Sequence, residues 1–271
     1  MGFCLFSRDI EAVDFQEIQV ERQEGYAVVR LNRPDLRNAL TLQLRKELGL
    51  AFDQLANDDS VIALVITGTG ACFCAGGDLS SLAPQPPAYE GRERMRRIQS
   101  WFYRYINMEK PVVCGLNGTV AGGGIGLALG ADFRIAVETA SFRSSFMAVG
   151  AVPDMASQYL LPRLLGLARA KEFLMLNQPI DAQEALKLGL VTQVVPPEEL
   201  GKACVALATT LAKSPAALGL LKPVLNQAFE TDLNTMLQIE ALSQGIAFST
   251  QDFAEGVAAF RTRRKPKFRG Q

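Results

Sequence analysis

The chain of 271 residues contains no histidine. This absence excludes Ser-His-Asp and Cys-His hydrolases and any enzyme that relies on a histidine general base. Chemistry carried out by this sequence must therefore use carboxylates, tyrosines, lysines, thiols or backbone dipoles.

Net charge is also absent, because 28 basic residues balance 28 acidic ones. No overall field therefore attracts nucleic acid or an anionic membrane. The apolar stretch at residues 1–7 is too short for a signal peptide core, and no run is long enough to span a bilayer. These features predict a soluble, cytoplasmic protein with no nucleic-acid or membrane partner.

Cysteine is scarce and unevenly spaced, which argues against a disulfide framework and fits a reducing compartment. Without histidine or a second thiol pair near Cys72 and Cys74, the sequence predicts no metal site. The five cysteines are Cys4, Cys72, Cys74, Cys114 and Cys204.

Hydrophobic patterning predicts an α/β fold. The apolar runs at 61–67 and 112–116 are typical of buried parallel strands, and residues 133–137 are predicted to form another strand. Thr41 is a predicted N-cap of a helix that extends to about residue 56. After Pro153 the pattern becomes helical nearly to the end, so an α/β core is expected over residues 1–199 and a helical region over 200–271.

Two glycine-rich turns follow buried strands: residues 75–78 after the run at 61–67, and residues 121–124 after the run at 112–116. Glycine lets a backbone approach a ligand closely. The second turn leads into a predicted helix, where N–H groups lack partners and the helix dipole is positive. Two such turns side by side offer two N–H donors to one oxygen, an oxyanion hole that needs no ionisable side chain.

Motifs along nearly the whole chain resemble the crotonase, or enoyl-CoA hydratase/isomerase, superfamily. The resemblance rests on Leu31-Asn32-Arg33-Pro34, Asn38-Ala39-Leu40, Cys74-Ala75-Gly76-Gly77-Asp78-Leu79, Lys110-Pro111-Val112-Val113, residues 117–124, Asp181-Ala182-Gln183-Glu184-Ala185, Glu255-Gly256-Val257-Ala258-Ala259-Phe260 and Arg263-Arg264-Lys265-Pro266.

That resemblance implies a spiral of ββα units with a helical C-terminal trimerisation region, a homotrimer or hexamer, and a coenzyme A thioester substrate with no prosthetic group. It assigns the oxyanion donors to Gly77 and Gly123. It also assigns a set of residues to the coenzyme A path, the last two sometimes serving a neighbouring subunit: Arg37, Ala39, Ala75, Gly76, Asp78, Leu79, Phe260 and Arg263.

The two glutamates with which family hydratases activate water are absent, since Gly126 and Phe146 stand at the corresponding positions. Asp154, in Val152-Pro153-Asp154, instead resembles the proton-carrying aspartate of the isomerase branch. Its plainer interpretation is an N-cap for the helix that follows. Phe146, Met147 and Met155 are expected to form an apolar wall that raises the pKa of Asp154, and Gly126 to lie at the substrate pocket.

The sequence therefore predicts an enoyl-CoA isomerase. A weak hydratase or thioester hydrolase on the same scaffold, and a non-catalytic binder of coenzyme A thioesters, remain as alternatives. The segment 78–100 contains a group of arginines and is expected to shape the acyl pocket or its lid: Arg92, Arg94, Arg96 and Arg97.

Overall fold

A computed structural model of the chain describes residues 14–81 and 86–270. Within them the strands are β1 (Ile18–Gln23), β2 (Gly25–Leu31), β3 (Val61–Gly68), β4 (Cys72–Cys74), β5 (Val112–Leu116), β6 (Thr119–Ala121), β7 (Phe133–Val137), β8 (Ser141–Arg143), β9 (Ile180–Asp181) and β10 (Gln193–Val195). The α-helices are α1 (Leu42–Ala56), α2 (Ala88–Ile106), α3 (Gly123–Leu129), α4 (Ser157–Leu165), α5 (Leu167–Leu176), α6 (Ala182–Lys187), α7 (Leu200–Ala212), α8 (Ala217–Asn226), α9 (Leu233–Phe248) and α10 (Gln251–Arg261).

The strands form two sheets. The larger has the order β1-β2-β3-β5-β7-β10 and is parallel except for the β1–β2 hairpin. The smaller has the order β4-β6-β8-β9. Strands β3, β5 and β7 are buried almost throughout, which explains why nearly all of their residues are apolar; β7 also contains the buried Arg134.

The chain alternates between the sheets in a repeating pattern. It places β3 in the large sheet and β4 in the small sheet before helix α2, then repeats this order with β5, β6 and α3, and again with β7, β8 and α4. Each unit adds one strand to the large sheet and one to the small sheet, so the chain forms a spiral of ββα units. The glycine turns lie at or beside the second strand of a unit, and are therefore adjacent.

Several sequence predictions are confirmed, since β5, β7 and α1 occupy the predicted ranges. The Thr41 hydroxyl oxygen accepts a hydrogen bond from the Leu44 amide at 2.9 Å, as expected of an N-cap. The expectation of a nearly all-helical region after Pro153 was wrong for β9 and β10. Strand β10 has three residues and joins the large sheet beside β7.

The C-terminal helices differ in how they pack. Helix α7 lies on the large sheet through Cys204, Ala208 and Leu211, whereas no residue of α9 is buried. The division of the chain at residues 199 and 200 stays a prediction, although α7 packs as part of the core. Among the described residues no single helix is long and apolar enough to cross a membrane. Residues 197–212 and α8 satisfy length and composition only as a pair that bends by 110°.

Candidate active site

The turn at residues 75–78 leaves one amide unused. Leu40 holds this turn through two backbone hydrogen bonds. The Leu40 amide donates to the Gly76 carbonyl oxygen at 2.7 Å, and the Leu40 carbonyl oxygen accepts from the Asp78 amide at 3.3 Å. The Gly76 amide donates to the Cys74 sulfur. Between them the Gly77 N–H has no acceptor among the described residues, and Gly77 is exposed.

The second turn leaves an equivalent donor. The Gly122 amide donates to the Arg143 carbonyl oxygen at 3.1 Å, and the Ile125 amide donates to the Gly122 carbonyl oxygen. Gly123 is the first residue of α3, so its N–H has no partner within the helix. No other acceptor for it occurs in the described ranges.

The two turns are in direct contact. A Cβ atom built on Gly76 would lie 2.8 Å from the Ala121 carbonyl oxygen and 3.2 Å from the Gly123 nitrogen. Gly76 also has a φ of +92° and Gly122 a φ of +50°, backbone conformations that favour glycine. The glycines therefore let two segments far apart in sequence meet.

Both unpaired amides lie in the wall of a cavity of about 1020 Å³. Helices α1 and α2, the two turns and the segment 145–159 enclose it. Its wall includes the predicted residues Ala75, Gly77, Asp78, Leu79, Gly123, Phe146, Asp154 and Met155, together with Arg45, Arg94, Met95, Ile98, Phe102 and Val152. The expectation that residues 78–100 shape the pocket is met by α2; residues 82–85 lie outside the described residues.

Asp154 lies beside Gly123: its Oδ1 atom is 3.2 Å from the position that a Gly123 Cβ would take. Oδ1 is buried and has no hydrogen-bond partner. Burial raises the pKa of Asp154 above its ordinary value, while the positive charges of Arg45 and Arg94 oppose the rise. A carboxylate whose pKa is raised in this way is a stronger base than an exposed aspartate.

The N-cap interpretation of Asp154 was wrong. Helix α4 begins at Ser157, its N-cap is Ala156, and no side chain caps it. Met155 and Ala156 both have positive φ, at 47° and 55°, so the chain reverses between the aspartate and the helix. This reversal leaves the carboxyl group in the cavity wall.

Gly126 and Phe146, which stand where family hydratases have their two glutamates, carry no carboxylate. A Cβ on Gly126 would lie 2.1 Å from the Met155 carbonyl oxygen, a collision with backbone that no side chain avoids. Gly126 was expected at the pocket but lies behind Met155, outside the cavity wall. Phe146 lines the cavity, whereas Met147 is 45% exposed and does not.

Arg45 was not identified from the sequence. It projects from the first turns of α1, is 6% exposed, and lines the cavity. Its Nε and Nη1 atoms have no acceptor. Burial lowers the pKa of Arg45, and the nearby charge of Arg94 lowers it further. The signal was present, since Arg45 continues the spacing of the buried Thr41, Leu48 and Phe52.

The residues predicted to hold coenzyme A fall into two groups. Arg37 and Ala39 precede α1, and the Arg37 carbonyl oxygen accepts from the Ala75 amide at 3.0 Å, next to the cavity. Phe260, which is 85% exposed, and Arg263 lie at the end of α10 and do not line the cavity of their own chain.

Six basic residues lie close together at residues 261–269, and others of this basic tail besides Arg263 have structural partners. Arg264 forms an ion pair with Glu255 at 2.5 Å, and the amides of Arg269 and Gly270 donate to Asp252. These contacts tie the tail to α10.

No group of three metal-ligating side chains occurs in residues 14–81 or 86–270. The described residues therefore place a pair of amide donors, two carboxylates (Asp78 and Asp154) and two guanidinium groups (Arg45 and Arg94) around a largely apolar cavity.

Comparison with known proteins identifies the family. The family described as Enoyl-CoA hydratase/isomerase matches residues 21–271. The chain belongs to this family. It is an acyl-CoA-processing enzyme with the crotonase fold, and its substrates are coenzyme A thioesters.

Individual relatives cover almost the whole of the chain. It is 36% identical over 253 residues to 1,2-epoxyphenylacetyl-CoA isomerase of Escherichia coli K12, covering 92% of this chain and 97% of the relative. It is 38% identical over 256 residues to crotonyl-CoA hydratase of Syntrophomonas wolfei, covering 94% and 98%. The crystal structure of a putative enoyl-CoA hydratase from Streptomyces coelicolor A3(2) superposes with a TM-score of 0.93 at 31% identity, covering all of both chains.

Proposed function

We propose that this enzyme is an enoyl-CoA isomerase, which moves a carbon–carbon double bond along the acyl chain of a coenzyme A thioester. The observation that carries the proposal is Asp154, whose buried and unpartnered oxygen lies beside Gly123 in the cavity wall. Asp78 also lines the cavity, but its carboxylate accepts from the amide and hydroxyl of Ser80. Asp154 is therefore the better placed proton acceptor.

The first step depends on the two glycine turns. The thioester carbonyl oxygen accepts hydrogen bonds from the Gly77 and Gly123 amides, which acidifies the neighbouring carbon. Each donor of this kind stabilises an oxyanion-like transition state by roughly 3–4 kcal/mol. The unpaired state of both amides supports this role, because neither must break an existing bond to reach the substrate.

The second step moves one proton. The Asp154 carboxylate removes a proton from C2 of a 3-enoyl thioester, which leaves a neutral carboxylic acid and a dienolate whose charge rests on the thioester oxygen. The acid then returns the proton to C4, and the double bond lies between C2 and C3. One group suffices for both transfers, so the reaction needs no second carboxylate.

Hydration is the second candidate, because several relatives are named hydratases, including crotonyl-CoA hydratase. Water addition in that branch uses the two glutamates whose positions hold Gly126 and Phe146 here. The Met155 carbonyl oxygen leaves no space for a side chain at residue 126. These features favour isomerisation over hydration.

The proposal is tested by Asp154→Asn, with Asp59→Asn as a control that removes an exposed carboxylate far from the turns. Isomerisation of 3-hexenoyl-CoA should fall about 10²- to 10⁴-fold in the first variant and stay unchanged in the second. Deuterium incorporation from D₂O into the thioester should fall in parallel. An Asp154→Asn enzyme that isomerises as fast as wild type would exclude Asp154 as the base. Efficient hydration of crotonyl-CoA by wild type, without isomerisation, would favour the hydratase.

We further propose that the enzyme assembles as a homotrimer, or as a hexamer of two trimers. Large apolar side chains are exposed along α8, α9 and the segment between them, and burial in an interface would remove them from water. They include Leu221, Leu225, Phe229, Leu233, Leu237, Leu242, Ile246 and Phe248. Light scattering should give three or six times the chain mass of 29.4 kDa; a monomer would contradict the proposal.

The cytoplasmic location also remains a proposal. Its support is that the four described cysteines are buried and unpaired, which fits a reducing compartment; Cys4 lies outside the described residues. Fractionation of the source cells tests it.

A further inference from the structure

Arg45 is a buried cation that the proposed mechanism does not use. Only 6% of the residue is exposed, and two of its three guanidinium nitrogens, Nε and Nη1, have no acceptor in the part of the chain that the structure describes. Buried polar groups in proteins are almost always hydrogen-bonded, and a charged donor without an acceptor is strongly unfavourable. Because Arg45 lines the cavity, the missing acceptor belongs to whatever fills that cavity.

The neighbouring acidic side chains do not supply this acceptor. Asp154 and Asp78 attract Arg45 electrostatically, but neither forms an ion pair or hydrogen bond with it. Asp154 Oδ1 itself has no donor. If Arg45 served to hold Asp154, these two unpartnered groups would meet. They stay apart instead, and each faces the cavity.

Arg45 lies close to the place where the acyl group of the substrate is proposed to bind. Its Nη2 atom is 3.3 Å from the position that a Gly77 Cβ would take, so the guanidinium lies next to the first amide donor. Asp154 lies next to the second, Gly123. Arg94 approaches from α2, and its charge repels that of Arg45. The Arg45 guanidinium therefore lies on the α1 side of the cavity, beside the place proposed for the thioester carbonyl.

We propose that the acyl group of the substrate carries a second carboxylate, which Arg45 binds. A guanidinium presents a planar set of donors that matches a carboxylate in a bidentate pair, which a lysine cannot reproduce. An acyl chain ending in a methyl group would instead leave Nε and Nη1 unpaired in a site from which the ligand has displaced water. The inference deepens the proposed function, since it names the substrate class of the same cavity.

Binding of saturated thioesters tests the inference without catalysis. Calorimetry would compare hexanedioyl-CoA, which carries a terminal carboxylate, with hexanoyl-CoA, which has the same chain length. Wild type should bind the dicarboxylic ligand at least about 10-fold more tightly. Arg45→Gln should weaken hexanedioyl-CoA by about 10- to 100-fold and leave hexanoyl-CoA unchanged or tighter. Arg45→Lys should recover part of the loss.

Arg104→Gln is the matched control, because Arg104 lies on α2 but faces solvent and pairs with Asp53. This variant should keep the wild-type preference. Equal affinity of wild type for the two ligands would overturn the inference. So would an Arg45→Gln variant that is folded by circular dichroism and weakens both ligands alike, since Arg45 would then act on the site as a whole.

Turnover separates this inference from the proposed function. If 3-hexenedioyl-CoA and 3-hexenoyl-CoA are isomerised with equal kcat/KM and bound equally, the isomerase proposal stands and the carboxylate site fails. If hexanedioyl-CoA is preferred in binding but neither enoyl thioester is isomerised, the carboxylate site stands and the isomerase proposal fails.

Discussion

Two buried charges on helix α1 face opposite directions and have opposite surroundings. Glu47 faces the start of β1, where its carboxylate accepts hydrogen bonds from the amides of Gln16, Glu17 and Ile18 at 2.8–3.1 Å. Arg45, two residues earlier, faces the cavity and has two nitrogens without acceptors. Residues two apart point to different sides of a helix. The charged group on one face of α1 therefore has hydrogen-bond donors within the chain, whereas the charged group on the other face lacks acceptors among the described residues.

The remaining buried charges of the scaffold resemble Glu47. Arg134 donates to the Leu190 and Ala131 carbonyl oxygens, both at 2.6 Å, and Lys222 pairs with Asp132 at 2.7 Å. Charges that hold the scaffold together thus have partners within the chain. Arg45 and Asp154 do not, which is expected of groups arranged for a ligand rather than for stability.

Among the variants that test this comparison, Glu47→Ala is expected to have the largest effect on the free energy of unfolding. It removes a charged acceptor from three backbone amides and from the Gln43 side chain. The free energy of unfolding should fall by about 3 kcal/mol at pH 7, as measured by urea denaturation at fixed protein concentration with Trp101 fluorescence.

The same variant carries a pH control. Burial acts to raise the pKa of Glu47, but the hydrogen bonds from Gln43 and the three amides outweigh it and hold the pKa below the ordinary value of 4.5. The ionised form therefore contributes stability that is present above pH 4.5 and is lost as pH falls through the lowered pKa. The difference between wild type and Glu47→Ala should shrink in acid; a constant difference would contradict this account.

A smaller effect of opposite sign is expected for Arg45→Met. Methionine fills much of the same volume and removes donors that have no acceptor, so the free energy of unfolding should rise by about 1–2 kcal/mol. The same urea titration measures it, with Arg104→Met as the control for loss of an exposed arginine. Destabilisation by Arg45→Met would show that Arg45 has a partner within the folded chain. Arg45 would then no longer differ from Glu47 in lacking such a partner.

The smallest expected effect is a shift in the pH dependence of activity. Burial raises the pKa of Asp154, whereas Arg45 and Arg94 lower it. As a base Asp154 must be ionised, so kcat/KM should decline as pH falls through its raised pKa. Arg45→Gln removes one opposing charge, and the acidic limb of the profile should move to higher pH. A limb that does not move, or moves to lower pH, would mean that Arg45 and Asp154 are not coupled.

The sequence predicted the elements whose apolar pattern is continuous. Strands β5 and β7 and helix α1 have five or more residues, a buried face and, for α1, a capping threonine. Strands β4, β6, β8 and β9 have only two or three residues. They are held by pairing with one another, which no local pattern reveals, so none of them was predicted, and β9 fell in the region expected to be helical.

The site residues also fall into those that a local sequence pattern predicts and those whose position depends on the fold. Gly77, Gly123 and Asp154 could be predicted because the glycine turns and the Val-Pro-Asp motif are local patterns, and the structure brings all three to the wall of one cavity. Arg45 was missed because a charged residue in a helix is normally solvated, although its spacing from Leu48 and Phe52 indicated a buried position. The place of Gly126 behind Met155 depends on a backbone reversal at two residues with positive φ, which their identities do not predict.

The Met155 carbonyl oxygen also constrains how this catalyst can change over evolutionary time. It occupies the space in which any side chain at residue 126 would begin. A codon change there cannot by itself install an acidic side chain, because the 154–156 reversal that carries the proposed base, Asp154, would have to move first. Substitutions in α1 and α2 can change the cavity wall one residue at a time, whereas a glutamate at residue 126 requires coordinated changes in two distant segments.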